Sequence, residues 1–419
     1  MDKPLVMVSS WPPRACGIAT FAEEVVEHGL KPNIPNLQLH VISHKDGKPQ
    51  NRELVHPILD TSQKCWWESI ADKVREIKPY VVHLQHEYGL YDDGNGALPL
   101  NTGFLHLMTT LRREGYPTIV ETHTVHERPN QRELDFLREL IDYTTILILK
   151  EPFLRDRLEW EFNLQDDTMP TNIGVIRHGA VEGYANRFNR NQVLDELGLE
   201  DLKGRSIVEL IGWIQKNKRW DLVLKRWEDI LSSIEEQGGK KDEWVLLAAG
   251  DLRDPKGHRK AHDEYMALLK PLEERGLARF YRFIPRNSEY YEVMSIADLV
   301  ILPSVDETQS GTLARIIALN KPYVTFNLEG LGLQTVESGG GLLATDRENL
   351  IDRIADLAAN PKLRRDCSRR QANYLRTRVG WKSVVGRLYR EAYQTARESV
   401  DNHKKVRILE GHPLYAGHF

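Results

Sequence analysis

The stretch "LVILPSVDETQSGTLARIIALNKPYVTF", Leu299–Phe326, decides the fold. The apolar run Leu299–Leu302 reads as a strand covered on both faces, and it stops abruptly at a polar loop. Helical spacing follows, then a second apolar run at Tyr323–Phe326. A strand, a helix and another strand in that order imply a right-handed crossover in a parallel sheet. Ligands in such sheets bind beyond the carboxyl ends of the strands, which is where "DETQSGT" stands. Ser310, Gly311 and Thr312 open the helix, so their N–H groups suit an anion, while Glu307 suits hydroxyl donors. Serine or threonine at that place equally caps a helix that binds nothing. The first charge on the helix itself is Arg315.

The same alternation runs the length of the chain. "LVMVSS", "LQLHVIS", "YVVHLQHE", "TIVETHT", "TTILILK" and "IGVIRHG" read as a first series of strands. A polar connector, "YANRFNRNQVLDELGLEDLKGR", separates it from a second series: "SIVELIG", "EWVLLAAG", "RFYRFIP", "DLVILPS" and "PYVTF". Segments such as "FLHLMTTLRREG" between them carry helical spacing. Two Rossmann-like domains are therefore expected, meeting near residues 180–205. The end of the chain reads as helical through "WKSVVGRLYREAYQTARE", with a polar, loosely held tail after Ser399.

Composition excludes several function classes. At 419 residues the chain is long for a single core. A net charge of −4 offers no basic excess for nucleic acid. No apolar run reaches the roughly 18 residues that span a bilayer, and the start reads directly as a strand. Cys16, Cys65 and Cys367 are far apart and form neither a disulfide framework nor a CxxC pair. A cytoplasmic location is expected, with peripheral contact at a membrane face left open.

The loops after the strands hold the candidate chemistry. "SSWPPRACGIATF" places Gly17 at a helix start near Ile18 to Thr20, either an anion seat or a plain turn. It contains no GxGxxG, so a nicotinamide or flavin fingerprint is missing. "VETHTVHE" sets His123 and His126 beside Glu121 and Glu127 at the sheet edge. A metal pair, a contact to a polar ligand and a structural histidine are all open readings of it, and no third metal ligand is evident. "VHLQHEYGLY", with His83, His86 and Glu87, and "VIRHGAVE", with His178, are further polar strand ends. "IGWIQKNKRW" carries Lys216, Lys218 and Arg219, either a phosphate clamp or a solvated face.

Together these motifs resemble the retaining GT-B glycosyltransferases of family four (glycosyl transferases group 1), over most of the chain. "PPRACGIATF" is similar to the family's first glycine loop, and "VETHTVHE" to the strand whose histidine faces the donor sugar. "IGWIQKNKRWDLVL" resembles G-x-[IL]-x-x-x-K-G and puts Lys218 on the phosphate-binding lysine. "DETQSGTLAR" resembles the motif of two glutamates seven residues apart, with Glu307 as the first. Arg315 replaces the second, which in the family holds the ribose. Trp213 replaces a common arginine, and Arg219 and Asn320 stand at usual glycines.

The resemblance implies an α/β GT-B fold with two Rossmann-like domains facing a cleft. The first would span 1–185 plus a helix returning over about 381–399, and the second, the donor domain, 204–380. It also implies sugar transfer from a nucleotide sugar to a carbohydrate, lipid-linked or small-molecule acceptor, with retained configuration. No metal or other cofactor would be needed beyond the nucleotide-sugar co-substrate. Glu307 and His123 would act on the sugar, and Gly17, Lys218, Ser310, Gly311 and Thr312 on the donor phosphates. Arg315 is a candidate nucleotide contact, and His86, Glu87 and His178 are candidate acceptor or sugar contacts. "EYGLYDDGNGALPLNTGF" would form the acceptor lip. The alternatives are a glycosyltransferase-like protein that binds a glycan or supports a partner enzyme, and a phosphorylase, which would need a lysine-bound pyridoxal group.

Overall fold

Apolar strands of three to nine residues pair into two wholly parallel sheets in the computed structural model of the chain. It describes residues 4–14, 16–45, 55–91, 101–162, 170–252, 255–285, 287–305 and 310–416. The chain divides into two units, Met1–Gly179 with Arg378–Phe419, and Ala180–Thr377.

In the first unit β1 (Leu5–Val8), β2 (Leu39–His44), β3 (Val55–Leu59), β4 (Val82–His86), β5 (Thr118–Thr122), β6 (Ile146–Leu149) and β7 (Ile173–Val175) form one sheet. Their order is β3-β2-β1-β4-β5-β6-β7, so the direction of winding reverses between β1 and β4. In the second unit β8 (Ser206–Ile214), β9 (Trp244–Leu252), β10 (Ala278–Tyr281), β11 (Leu299–Leu302), β12 (Tyr323–Phe326) and β13 (Gly341–Ala344) follow the order β10-β9-β8-β11-β12-β13. Its reversal lies between β8 and β11. Each reversal opens a crevice at the carboxyl ends of its strands.

The sequence reading lacks two of these strands, β3 and β13, and both are sheet edges. β3, "VHPIL", contains Pro57, which an edge tolerates because it has no ladder N–H to give. β13 has four residues and begins with Gly341, too short a run for its period to show.

Helices cover the sheets with the faces that their spacing predicts. Phe104, Leu107, Met108 and Leu111 of the helix Thr102–Arg113 pack on Val82, Leu84 and Val120. Trp227, Ile230 and Ile234 of the helix Trp227–Glu236 join Val208, Leu210 and Leu246 in the second unit. After Thr377 the chain rejoins the first unit, where the helix Gly386–Asp401 lies against Val25–Leu30. Close approach requires glycine there: a Cβ on Gly386 would stand 2.2 Å from the carbonyl oxygen of Gly29.

The tail after this helix is held, contrary to the sequence reading. Ile408 N–H donates to Thr171 O at 2.7 Å, Arg155 Nη2 donates to Ile408 O at 3.3 Å, and the Arg155 guanidinium sits 4.0 Å over the Tyr415 ring. Ile408 and Leu414 are completely buried beside β7. The tail thereby covers the otherwise open edge of the sheet, and apolar residues spaced too irregularly to read as a helix do the packing. A chain ending at Lys405 loses these two side chains at about 1.5–3 kcal/mol each. Urea unfolding should show that loss in the first unit; an unchanged midpoint would mean that the tail contributes nothing.

Glu209 lies in the middle of β8, fully buried, and its carboxyl oxygens have no hydrogen-bond partner among the described residues. Burial pushes its pKa well above the ordinary 4.5, against a weaker pull from Lys321. The folded state therefore holds a proton that the unfolded chain releases. Stability from this group is full below about 4.5 and declines as pH rises toward the folded pKa. Glu209→Leu should add about 1–3 kcal/mol at pH 8 and flatten the fall in stability between pH 6 and 8. Equal slopes for both proteins would refute this account.

Candidate functional site

The first unit gathers its polar groups where the strands end. The helix Gly17–Glu24 follows β1, with Gly17 exposed at its first position and open space where a Cβ would be. Phe21 on this helix packs edge-on against His123 and His178, each ring centroid 4.9 Å away. The structure thus brings Gly17, His123 and His178 to one end of the sheet. His178 Nδ1 donates to the carbonyl of Gly179 at 2.8 Å. His123 is partly exposed; its backbone N–H donates to His86 O at 3.0 Å, and its Nε2 lies 2.6 Å from Gln85 Oε1. Burial and the nearby Lys150 cation hold the His123 pKa well below 6.5.

His86 is a core residue, and the expectation of a ligand contact is corrected. It is 1% exposed, stacks on Phe136 with centroids 5.0 Å apart, and pairs with Asn101 Nδ2 at 3.0 Å. Burial lowers its pKa to about 3. Strand alternation explains the placement: Val82, Leu84 and His86 share the face of β4 that meets Phe104 and Phe136, while His83 and Gln85 take the other, toward the helix Gly386–Asp401. Glu87 ties two loops together, accepting from Tyr88 N–H at 3.1 Å and from Thr124 Oγ1 at 2.7 Å. His126 turns away from His123, its Nδ1 2.8 Å from Glu133 Oε1. The two imidazoles make separate bonds, and no metal-holding cluster occurs among the described residues.

Glu121 is buried rather than placed at the sheet edge. Its carboxylate accepts from Gln85 Nε2 at 2.6 Å, from His83 Nε2 at 3.1 Å, and from Lys150 Nζ and the Tyr389 hydroxyl. His83 Nδ1 pairs with the Tyr393 hydroxyl at 2.9 Å. Burial alone would raise the Glu121 pKa, but the Lys150 cation and the His83 hydrogen bond outweigh it and hold the carboxyl well below 4.5. The sequence reading named His83 only as part of a polar strand end, and it missed Gln85, Lys150, Tyr389 and Tyr393. The signal within reach was a charged residue closing an otherwise apolar strand, at Glu121 and at Lys150.

In the second unit β8 carries a glycine near its carboxyl end in a backbone region that other residues rarely enter. Gly212 has φ +128°, and a Cβ there would lie 3.0 Å from the Tyr290 hydroxyl. Lys218 closes the turn Lys216–Lys218, half-buried. Val305 N–H donates to Asn217 O at 3.2 Å and joins this turn to the end of β11. Arg219 and Asn320, both at usual glycine positions of the resembled family, adopt left-handed φ of +49° and +53°. Asparagine tolerates that region, whereas Arg219 is secured by a fork on Asp221 at 2.9 and 3.1 Å.

The helix Gly311–Ala318 begins beside this turn in the topology. Ser310 caps it, its Oγ accepting from Leu313 N–H at 3.3 Å, and the Thr312 hydroxyl pairs with Tyr290 at 2.7 Å. Arg315 is only 6% exposed. It donates to Gly311 O at 2.8 Å, with its guanidinium 4.9 Å over the Tyr290 ring. The sequence reading took Arg315 as a nucleotide contact, but the structure encloses it against its own helix start. A cavity of ≈ 610 Å³, lined by Arg219, Val305, Phe326, Asn327, Leu328 and Arg347 among others, opens at the ends of β11, β12 and β13. Glu307 and half of the expected acceptor lip, residues 92–100, lie outside the described residues.

Comparison with known proteins is consistent with this layout. Residues 200–374 match the family model of glycosyl transferases group 1. A D-inositol 3-phosphate glycosyltransferase of Corynebacterium diphtheriae is 24% identical over 217 residues, 51% of this chain and 47% of that protein. The matched region therefore spans about half the length of that relative. The Anabaena HepE structure in complex with UDP superposes with a TM-score of 0.66 at 12% identity, covering 94% of this chain and 99% of that one. Sucrose-phosphate synthase from Thermosynechococcus elongatus gives 0.67 at 14%, with 94% and 99% covered. At these identities the likeness concerns the fold, which is GT-B.

Gly212→Ala tests this strand position. The added Cβ meets the Tyr290 hydroxyl in a backbone region that L-residues rarely enter, so a loss of about 1–3 kcal/mol is expected in urea unfolding of the second unit. A wild-type midpoint would mean that the strand relaxes freely there.

Proposed function

We propose that this chain, whose residues 200–374 match the glycosyl transferases group 1 model, transfers a sugar from a nucleotide-sugar donor to a hydroxyl acceptor. Anomeric configuration is retained in this reading. The acceptor is a carbohydrate, a lipid-linked sugar or a small polyol, and the protein works in the cytoplasm. The observation that carries the reading is the second unit's winding reversal. There a lysine turn after β8 and a helix start after β11 stand at adjacent strand ends.

The chemistry follows from those groups. Lys218 and the N–H groups of Gly311 and Thr312 stabilise negative charge on the leaving diphosphate, which fixed dipoles do without reorganising. Fixed positive charge of this kind takes the place of a divalent cation, so the transfer is proposed to be metal-independent. Gly17 in the first unit offers a second helix start with room for a phosphate. Glu307 accepts hydrogen bonds from sugar hydroxyls, and neutral His123 contacts the sugar being transferred. His178 and Glu87, at strand ends of the first unit, serve in this reading as sugar or acceptor contacts. The complex of HepE with UDP supports a nucleoside diphosphate as the product held by such a fold.

Enclosure of Arg315 favours one second reading. With no carboxylate at that place for a ribose, the protein would bind a glycan without transferring sugar. A panel of UDP-, GDP- and ADP-sugars separates the two. One nucleotide series should raise Tm through mass action on the native state, and slow donor hydrolysis should follow the same series. No shift at millimolar nucleotide would favour the binding protein. Glu307→Ala should cut transfer by about 100-fold or more while nucleotide still raises Tm; unchanged turnover would remove Glu307 from the site.

A further inference from the structure

The loop histidine at the end of β5 is wired to the returning helix through two buried side chains. We propose that Gln85 and Glu121 are positioning residues that hold His123 as its Nε2–H tautomer, so that Nδ1 is left as a hydrogen-bond acceptor for a sugar hydroxyl. The proposal rests on the reading above, in which His123 touches the sugar.

Hydrogen-bond polarity carries the argument. The Glu121 carboxylate has acceptors only, and it already takes Lys150, Tyr389 and His83. Gln85 must therefore present its Nε2 donors to Glu121 at 2.6 Å. Turning the amide over would set two oxygens against each other at that distance. With its amino end fixed, Gln85 offers only Oε1 to His123, 2.6 Å from Nε2. An oxygen acceptor at that range needs the proton on Nε2. In the neutral ring the lone pair then lies on Nδ1, which has no hydrogen-bond partner among the described residues, in a ring that is partly exposed.

The fixing extends beyond the pair. Tyr389 and Tyr393 come from the helix Gly386–Asp401, and they hold Glu121 and His83 respectively. Phe21 braces the His123 ring edge-on and lies 4.0 Å below Lys150 Nζ. His123 therefore has one orientation and one protonation pattern, set from a segment far away in sequence. Gln85 and Glu121 act through His123 and touch no substrate themselves.

Nitrogen NMR of the full chain labelled with ¹⁵N-histidine tests this without substrate, with the His123 signals assigned by their loss in His123→Ala. At pH 7 the wild type should show the Nε2–H pattern for His123. An Nδ1–H pattern, or a fast average of both, overturns the proposal, and this measurement needs no variant that might misfold. In Gln85→Leu the pattern should become mixed, with kcat lowered about 10- to 100-fold and KM for the nucleotide sugar changed far less. An unchanged tautomer in that variant also overturns the proposal. His123→Ala separates the two levels. If it transfers sugar at the wild-type rate, the role of His123 on the sugar is lost, whereas the wild-type tautomer pattern by itself decides the positioning.

Discussion

One carboxylate, Glu121, organises the first unit. Two oxygens buried beneath the sheet accept from Lys150 on the segment after β6, His83 and Gln85 on β4, and Tyr389 on the returning helix. A buried charge is tolerated only when it is paired and its remaining lone pairs are filled, and here every donor comes from a different turn of the chain or a different strand position. Removing one partner from such a pair typically costs about 3–5 kcal/mol because the other charge is left stranded. Replacing the whole set by apolar groups can be nearly neutral, so the network is better understood as specifying one arrangement than as adding stability.

That arrangement determines what the end of β5 can do. A histidine on a loop is usually free to rotate and to exchange tautomers. His123 is not, because Gln85 transmits the polarity of Glu121 to its ring. The second unit reaches a comparable rigidity by backbone means. Gly212 near the end of β8, Arg219 in the turn after it and Asn320 in the turn before β12 all sit at positive φ. The family glycines that Arg219 and Asn320 replace mark a conformational requirement that these residues still meet, one with an ion pair and the other by its intrinsic tolerance.

Much of the architecture was legible in the residues. Strand–helix alternation gave two parallel sheets, and the carboxyl-end rule pointed to Gly17, His123, His178, Lys218 and Ser310–Thr312, all of which stand at strand ends or helix starts. The misses have physical causes. β3 and β13 are short edges whose period is too brief to register. His86 looked like a strand-end ligand because its neighbours are polar, yet its parity with Val82 and Leu84 places it in the core. Arg315 was a candidate nucleotide contact, but a guanidinium can satisfy itself on the carbonyl of its own helix start and on a tyrosine face.

By itself, then, the sequence determined the order of elements, the parallel class of both sheets and the loops in which chemistry is concentrated. These are local properties, carried by periodicity and by turn residues over a dozen positions or fewer. Only the tertiary structure decided which polar residues are partners. Tyr389 and Glu121 lie 268 positions apart, and His83 and Tyr393 lie 310 apart. No local pattern encodes such a pairing. It exists because the chain leaves the first unit after Gly179, builds the second, and returns at Arg378 to close the network and cover the edge of β7.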